Sequence, residues 1–169
     1  FLFNRFYMDY HADRFFDFSF LVYKKNKLEA VIPANRKGDV VYSHQGLTYG
    51  GVISSASITA VDMLEIFRQL LLIFKNVGVR SLIYKPVPCV YNYLPAEEDL
   101  YALFRNSACL IARQISSTIF QNKRLPFREL RERGAKKALK NNVQVKVSQD
   151  FVEFWKVLEE VLMVMHQLK

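Results

Sequence analysis

Apolar positions change their spacing several times along the chain, and each change marks an element. Residues 1–11 (FLFNRFYMDYH) are aromatic at mixed spacing and read as the end of a helix or an approach segment, and 13–17 read as a turn or short exposed stretch. Residues 18–23 and 28–34 are rich in β-formers and flank the polar Lys24-Lys25-Asn26-Lys27, which predicts a hairpin turning at Asn26. Pro33 weakens the far end of its second strand or sets it at an edge. Arg36-Lys37-Gly38-Asp39 predicts a second turn, and 40–44 a third strand. At 59–77 the period becomes helical. Leu64, Phe67, Leu71 and Phe74 form one stripe, and Met63, Ile66, Leu70 and Ile73 a neighbouring one, so this helix is expected to be buried on two sides. Thr59 and Asp62 have capping-box spacing, and Gly78 supplies the stop.

A fourth strand is predicted over 80–85, ended by Pro86 and Pro88. A helix follows over 97–105, with Glu97, Glu98 and Asp99 complementing the dipole of its first turn. Residues 109–120 (CLIARQISSTIF) read as a strand interrupted by Arg113, Ser116 and Ser117. Residues 126–140 read as a helix that starts at Pro126 and closes at Asn141-Asn142, and 143–147 read as a strand. Asp150 then caps an amphipathic helix whose Phe151, Phe154, Trp155, Leu158, Val161, Leu162 and Met165 share one face. That face is left without a partner in the chain. It is expected to begin a further unit past Lys169 or to pack on another molecule.

Charge singles out one of these elements. Between Lys123 and Lys140 eight Lys/Arg face two acids, which accounts for +6 of the whole chain's +8. Arg133, Lys136, Lys137 and Lys140 cluster on one side of the helix, whereas Arg131 falls in the apolar stripe of Phe127, Leu130, Gly134 and Ala138. A charge so placed must snorkel, pair with a carboxylate or face an anion. The lysines read equally as a solvated scaffold face. A basic balance of this kind suggests an anionic partner such as a nucleotide, coenzyme phosphate, nucleic acid or acidic membrane face.

Candidate chemistry gathers in QGLTYGGVI, residues 45–53, which holds three of the six glycines. Gly46, Gly50 and Gly51 either serve tight bends or let backbone approach a ligand. In the second case His44, Gln45 and Tyr49 present the polar groups, with His44 and Tyr49 the catalytic candidates. Cys89 and Cys109 are isolated, with no CxxC and no His at ligand spacing. Reduced thiols in a cytoplasmic protein and no metal site are therefore expected. No apolar run approaches the roughly 20 residues that span a bilayer. There is no signal-peptide pattern, and a chain opening at Phe1 is expected to lack its native N-terminus.

The element order of helix, hairpin, strand, long helix, strand, helix, strand resembles that of the GNAT acyltransferase superfamily. The sharper resemblance lies in Lys136-Lys137-Ala138-Leu139-Lys140 and the strand expected after it. This stretch is similar to the helix-to-strand segment of the Fem family of aminoacyl (peptidyl) transferases and their bacterial GNAT-like relatives. Ala135 stands where the family has Ile, Asn142 where Gly is common, and Glu132 where Arg is expected.

The resemblance implies a mixed α/β fold, GNAT-like, with a central mixed, mainly antiparallel sheet flanked by helices. It implies tandem lobes, 1–147 forming the first and 148–169 the linker and opening helix of a second. It also implies an amine attacking a thioester or ester directly, with acyl-CoA or aminoacyl-tRNA as cosubstrate and no tightly bound cofactor. The helix 126–140 and the 44–51 loop would then flank an inter-lobe cleft for an anionic acceptor or donor. Gln45, Gly50, Gly51, Arg113, Arg131, Lys136 and Lys137 would be its substrate-binding candidates. The donor pattern Q/R-x-x-G-x-G/A is absent, and 53–58 separate Gly50-Gly51 from the helix at Thr59. Backbone N–H groups at a helix start are what hold a pyrophosphate, so this lobe alone is expected to bind acyl-CoA poorly or not at all. Two rival readings use the same residues: a tRNA-like nucleic-acid binding module built on helix 126–140, and a non-catalytic scaffold lobe. The helix at 150–169 would meet a second lobe or another protomer.

Overall fold

Lys25 and Asn26 have φ of 50° and 63°, and they join strands β2 (Phe20–Lys24) and β3 (Lys27–Ile32) as a two-residue hairpin loop. Positive φ at both positions matches the right-handed twist of the flanking strands. A computed structural model describes residues 2–10 and 12–166 of the chain. They form two compact units, divided between Thr118 and Ile119.

The first unit opens with α1 (Arg5–Asp9) and β1 (Phe16–Asp17). After the hairpin come β4 (Asn35–Lys37), β5 (Val40–Tyr42), β6 (Ile53–Ser54), α2 (Ala60–Asn76), β7 (Ser81–Ile83) and α3 (Glu98–Arg105). Two sheets result, of order β1-β4-β5-β7 and β2-β3-β6. Every pairing is antiparallel except β5 with β7, whose parallel register is supplied by the α2 crossover. The mixed α/β class agrees with the sequence reading, but the single central sheet expected is two sheets. Residues 36–39 are not simply a turn. Arg36 and Lys37 belong to β4, and Gly38 at φ +63° makes the tight link to β5.

α2 follows its sequence signals. Thr59 and Asp62 form the reciprocal capping box, and Gly78 takes φ +73° just past the C-terminus. Met63, Ile66, Phe67, Leu70 and Phe74 are buried against Ala30, Ile32 and Val41 of the strands and Ala34 between β3 and β4. α3 packs along the same helix and buries Ala102. Leu71, Leu72 and Ile73 stay exposed, so the wide apolar surface of α2 is only partly covered.

The register of the hairpin shifts between Val22 and Tyr23, whose partners are Ala30 and Leu28. Glu29 is thus the extra residue of a β-bulge. Both Glu29 and Ala30 are buried, which strict alternation would forbid.

The second unit holds α4 (Glu129–Lys140) and α5 (Phe151–His166), with a single 3₁₀ turn at Gln121–Lys123. α4 begins three residues after Pro126, without a side-chain cap at Arg128, and it ends where expected, with Asn142 at φ +57°. The strands expected over 109–120 and 143–147 are absent. Both segments carry β-formers, in strict alternation over 143–147, but a strand exists only with a ladder partner. Val145, Val147 and Ile115 are fully exposed instead. In α5, Asp150 accepts the Glu153 backbone N–H at 3.0 Å as the predicted cap. Phe151, Phe154, Trp155, Val161 and Met165 are exposed, and residues 167–169 of the expected helix lie outside those described. Among the described residues no helix is long and apolar enough to cross a membrane.

Candidate functional site

The glycine loop is held to the sheet before it can present anything. Asn35, fully buried in β4, donates from Nδ2 to Gln45 Oε1 at 2.9 Å and accepts from the Gln45 backbone N–H at 2.7 Å. Ser43 donates its backbone N–H to Ile83 O at 2.9 Å, and its hydroxyl accepts from the Lys85 N–H at 2.7 Å. Lys85 Nζ then reaches Leu47 O at 3.0 Å, and Gly50 donates to Lys85 O at 2.9 Å. The loop is therefore stitched along the far end of β7.

These contacts explain two of the three glycines. A Cβ on Gly50 would strike the Ser43 carbonyl, and one on Gly51 would come within 2.5 Å of the Tyr84 ring. Gly51 also has φ +86°. Close packing of backbone against β7 and Tyr84 accounts for both. His44 is buried at φ +66° with the Phe15 ring edge-on at 5.9 Å.

Tyr49 is the loop residue that reaches a concave surface. A cavity of about 410 Å3 lies beside it, walled by Val52–Ala56 around β6, by Met63 of α2 and by the segment from Tyr91 to Asp99. Tyr49 stacks on Tyr91 with ring centroids 5.3 Å apart and planes 26° apart. Burial, then the hydrogen bond to Tyr91, raise the Tyr49 hydroxyl above its ordinary pKa. Among the described residues, the charged ones lining the cavity are Glu98 and Asp99, both half-buried in the first turn of α3, and no Lys, Arg or His joins them.

Behind this wall are two ordered polar groups. The Tyr84 hydroxyl accepts from the Val52 backbone N–H at 2.9 Å and donates to Asp99 Oδ2 at 2.7 Å. Burial first, and the Asp99 carboxylate second, push the Tyr84 phenol far above its usual range. On the bulge, Glu29 accepts hydrogen bonds from the hydroxyls of Ser55 and Ser57, the latter at 2.8 Å, and pairs with Lys27 at 2.9 Å. Ser55 leads these causes in lowering the Glu29 carboxyl to about 2.

The structure gathers His44, Gln45, Tyr49, Gly50 and Gly51 into one loop of the first unit. Arg113 is exposed in the extended segment after α3. Arg131, Lys136 and Lys137 lie exposed on α4 of the second unit, so Arg131 sits in no apolar interior. The one ion pair on α4 among the described residues is Arg133 with Glu129 at 3.6 Å. Tyr84, Tyr91 and the position of Glu98 in the cavity wall went unrecognised in the sequence. Glu98 and Asp99 were legible only as dipole partners, because their neighbours lie far away along the chain. Among the described residues no group of three or more His, Cys, Asp or Glu could hold a metal ion.

Comparison with known proteins gave no match to a family model, a curated protein or a solved structure.

Proposed function

We propose that this chain is part of a GNAT-fold, Fem-like N-acyltransferase that passes an acyl or aminoacyl group to an amine, its first unit supplying the acceptor side. The observation that carries the reading is the cavity beside β6, where tyrosines and carboxylates converge and, among the described residues, no cation lines the wall. Such a wall suits an amine and disfavours a polyanionic donor. The resemblance of Lys136–Lys140 to the Fem segment supports the same reaction class. Direct attack by an amine needs positioning and oxyanion donors, not a nucleophile triad. Acyl-CoA or aminoacyl-tRNA is the cosubstrate in this reading, with the donor held elsewhere than in this lobe.

The test is acyl transfer from radiolabelled acetyl-CoA or charged tRNA to a panel of amines. A gene product containing these residues and a second strand–helix set is expected to turn over, and the 169-residue chain alone is not. Robust turnover by the chain alone would overturn the division of labour.

The exposed cations of α4 favour a second reading, binding to tRNA-like nucleic acid through phosphates. Neutralised phosphates release counterions, so affinity should fall steeply with salt. A fluorescence titration with tRNA at two salt concentrations decides it, and no binding at low salt removes it.

A further inference from the structure

We infer that the cavity bounded by Tyr49, Tyr91 and Glu98 seats a primary ammonium group carried on an apolar stem, such as the end of a diamine or a lysine-like side chain. This assignment rests on the acyltransferase reading above only for its biological meaning; the binding argument stands on the cavity itself.

Asp99 is already engaged, by the Tyr84 hydroxyl at 2.7 Å and by the Leu100 backbone N–H at 2.8 Å. Glu98 is different. It is half-buried, it lines the same cavity, and among the described residues it carries no hydrogen bond or ion pair. Removing a carboxylate from water without a partner is costly. The first turn of α3 favours negative charge there, but the side chain still lacks a counter-ion. An ammonium would supply it through a charge-assisted hydrogen bond.

The rest of the wall matches the other requirements of such a ligand. Stacked Tyr49 and Tyr91 offer π surface, which attracts cations. Met63, Val52 and Leu94 give the apolar surface that a methylene stem would cover. A volume near 410 Å3 is within the ordinary range for small-molecule sites, roughly 300–1,000 Å3. An anion is disfavoured by both carboxylates. A neutral alcohol would fill the apolar part and leave Glu98 unpaired.

The experiment is a calorimetric titration of the 169-residue chain with 1-aminopentane, using 1-pentanol and pentanoate as controls of the same shape. The amine should bind saturably, about tenfold or more tighter than the alcohol, and pentanoate should not bind. Glu98→Gln keeps shape and removes charge, so it should weaken the amine about tenfold and leave the alcohol unchanged. Amide shift changes on adding the amine should concentrate at the cavity wall, at residues 2–3, Tyr49, 52–56, Met63, Val87 and 91–99. Equal binding of amine and alcohol, an unaltered amine affinity in Glu98→Gln, or shift changes elsewhere would each overturn the site. Acyl transfer that survives Glu98→Gln unchanged would remove this amine seat and leave the transferase reading standing. Amine binding by the 169-residue chain, with no acyl transfer even from a gene product that adds a second strand–helix set, would do the reverse.

Discussion

The Tyr84 hydroxyl sits between a backbone donor and a carboxylate, taking the Val52 N–H at 2.9 Å and giving its own proton to Asp99 Oδ2 at 2.7 Å. One phenol thus ties the strand leaving the glycine loop to the first turn of α3. Removing the oxygen should leave the part-buried Val52 N–H unsatisfied and release Asp99. Tyr84→Phe is expected to destabilise the first unit by about 1–3 kcal/mol, read by urea unfolding followed by circular dichroism. A change within error would mean that water replaces both bonds.

Gly51 tests the same junction from the other side. Its φ of +86° and the 2.5 Å approach of a built Cβ to Tyr84 add two penalties. Gly51→Ala should cost about 1–3 kcal/mol for the backbone conformation alone, and it should also displace the Tyr84 ring. Gly38 has φ +63° with nothing within 4 Å of a Cβ, so Gly38→Ala provides the strain-only comparison. Equal losses in the two variants would show that the Tyr84 contact contributes nothing.

Glu29 sets an acid limb on stability. Its folded pKa is lowered from 4.5 to about 2 by the Ser55 and Ser57 hydroxyls and Lys27. The unfolded chain therefore takes up its proton first as pH falls. The stabilisation is complete above about 4.5 and is lost as the pH drops toward 2. Glu65, lowered to about 2 chiefly by Arg68, titrates in the same window, so the wild-type curve alone cannot assign the effect. Melting temperature against pH for Glu29→Gln should be lower than wild type near neutrality and converge with it near pH 2. Parallel curves throughout would exclude the bulge carboxylate as the source.

The cap of α2 offers a local check. Thr59 Oγ1 accepts from the Asp62 N–H at 3.2 Å, and Asp62 accepts from the Thr59 N–H at 3.2 Å and from Lys24 at 2.6 Å. Thr59→Ala should cost about 1 kcal/mol, measured by chemical unfolding. Thr59→Ser should recover most of it, and failure to recover would point to lost methyl packing instead of the cap.

Trp155 is the only tryptophan and lies on the exposed apolar side of α5. In dilute solution of the 169-residue chain its emission should be that of a water-exposed indole. A blue shift is expected when a second lobe or another protomer covers the helix, seen by comparing a longer gene product or by raising the concentration. Emission unchanged in both cases would leave α5 without either partner.

What the chain specifies by itself is local. The hairpin at Asn26, the helix from the Thr59 cap to Gly78, and the closure of α4 at Asn142 each depend on residues three or four positions apart, and each formed. The charge of α4 was equally plain, because a run of Lys and Arg needs no neighbour to be counted. Features that need a distant partner were decided by the tertiary structure. Residues 143–147 alternate as a strand should, yet they find no ladder, whereas Asn35–Lys37 pairs on both sides in spite of its turn-like composition. The bulge at Glu29 depends on the register with β2, and the Tyr84–Asp99 bond spans 15 positions. The cavity wall brings Tyr49 of the glycine loop onto Tyr91 and sets Glu98 beside them, a neighbourhood that no local pattern encodes. A periodic pattern records which side of an element is apolar, but not what will come to lie against it.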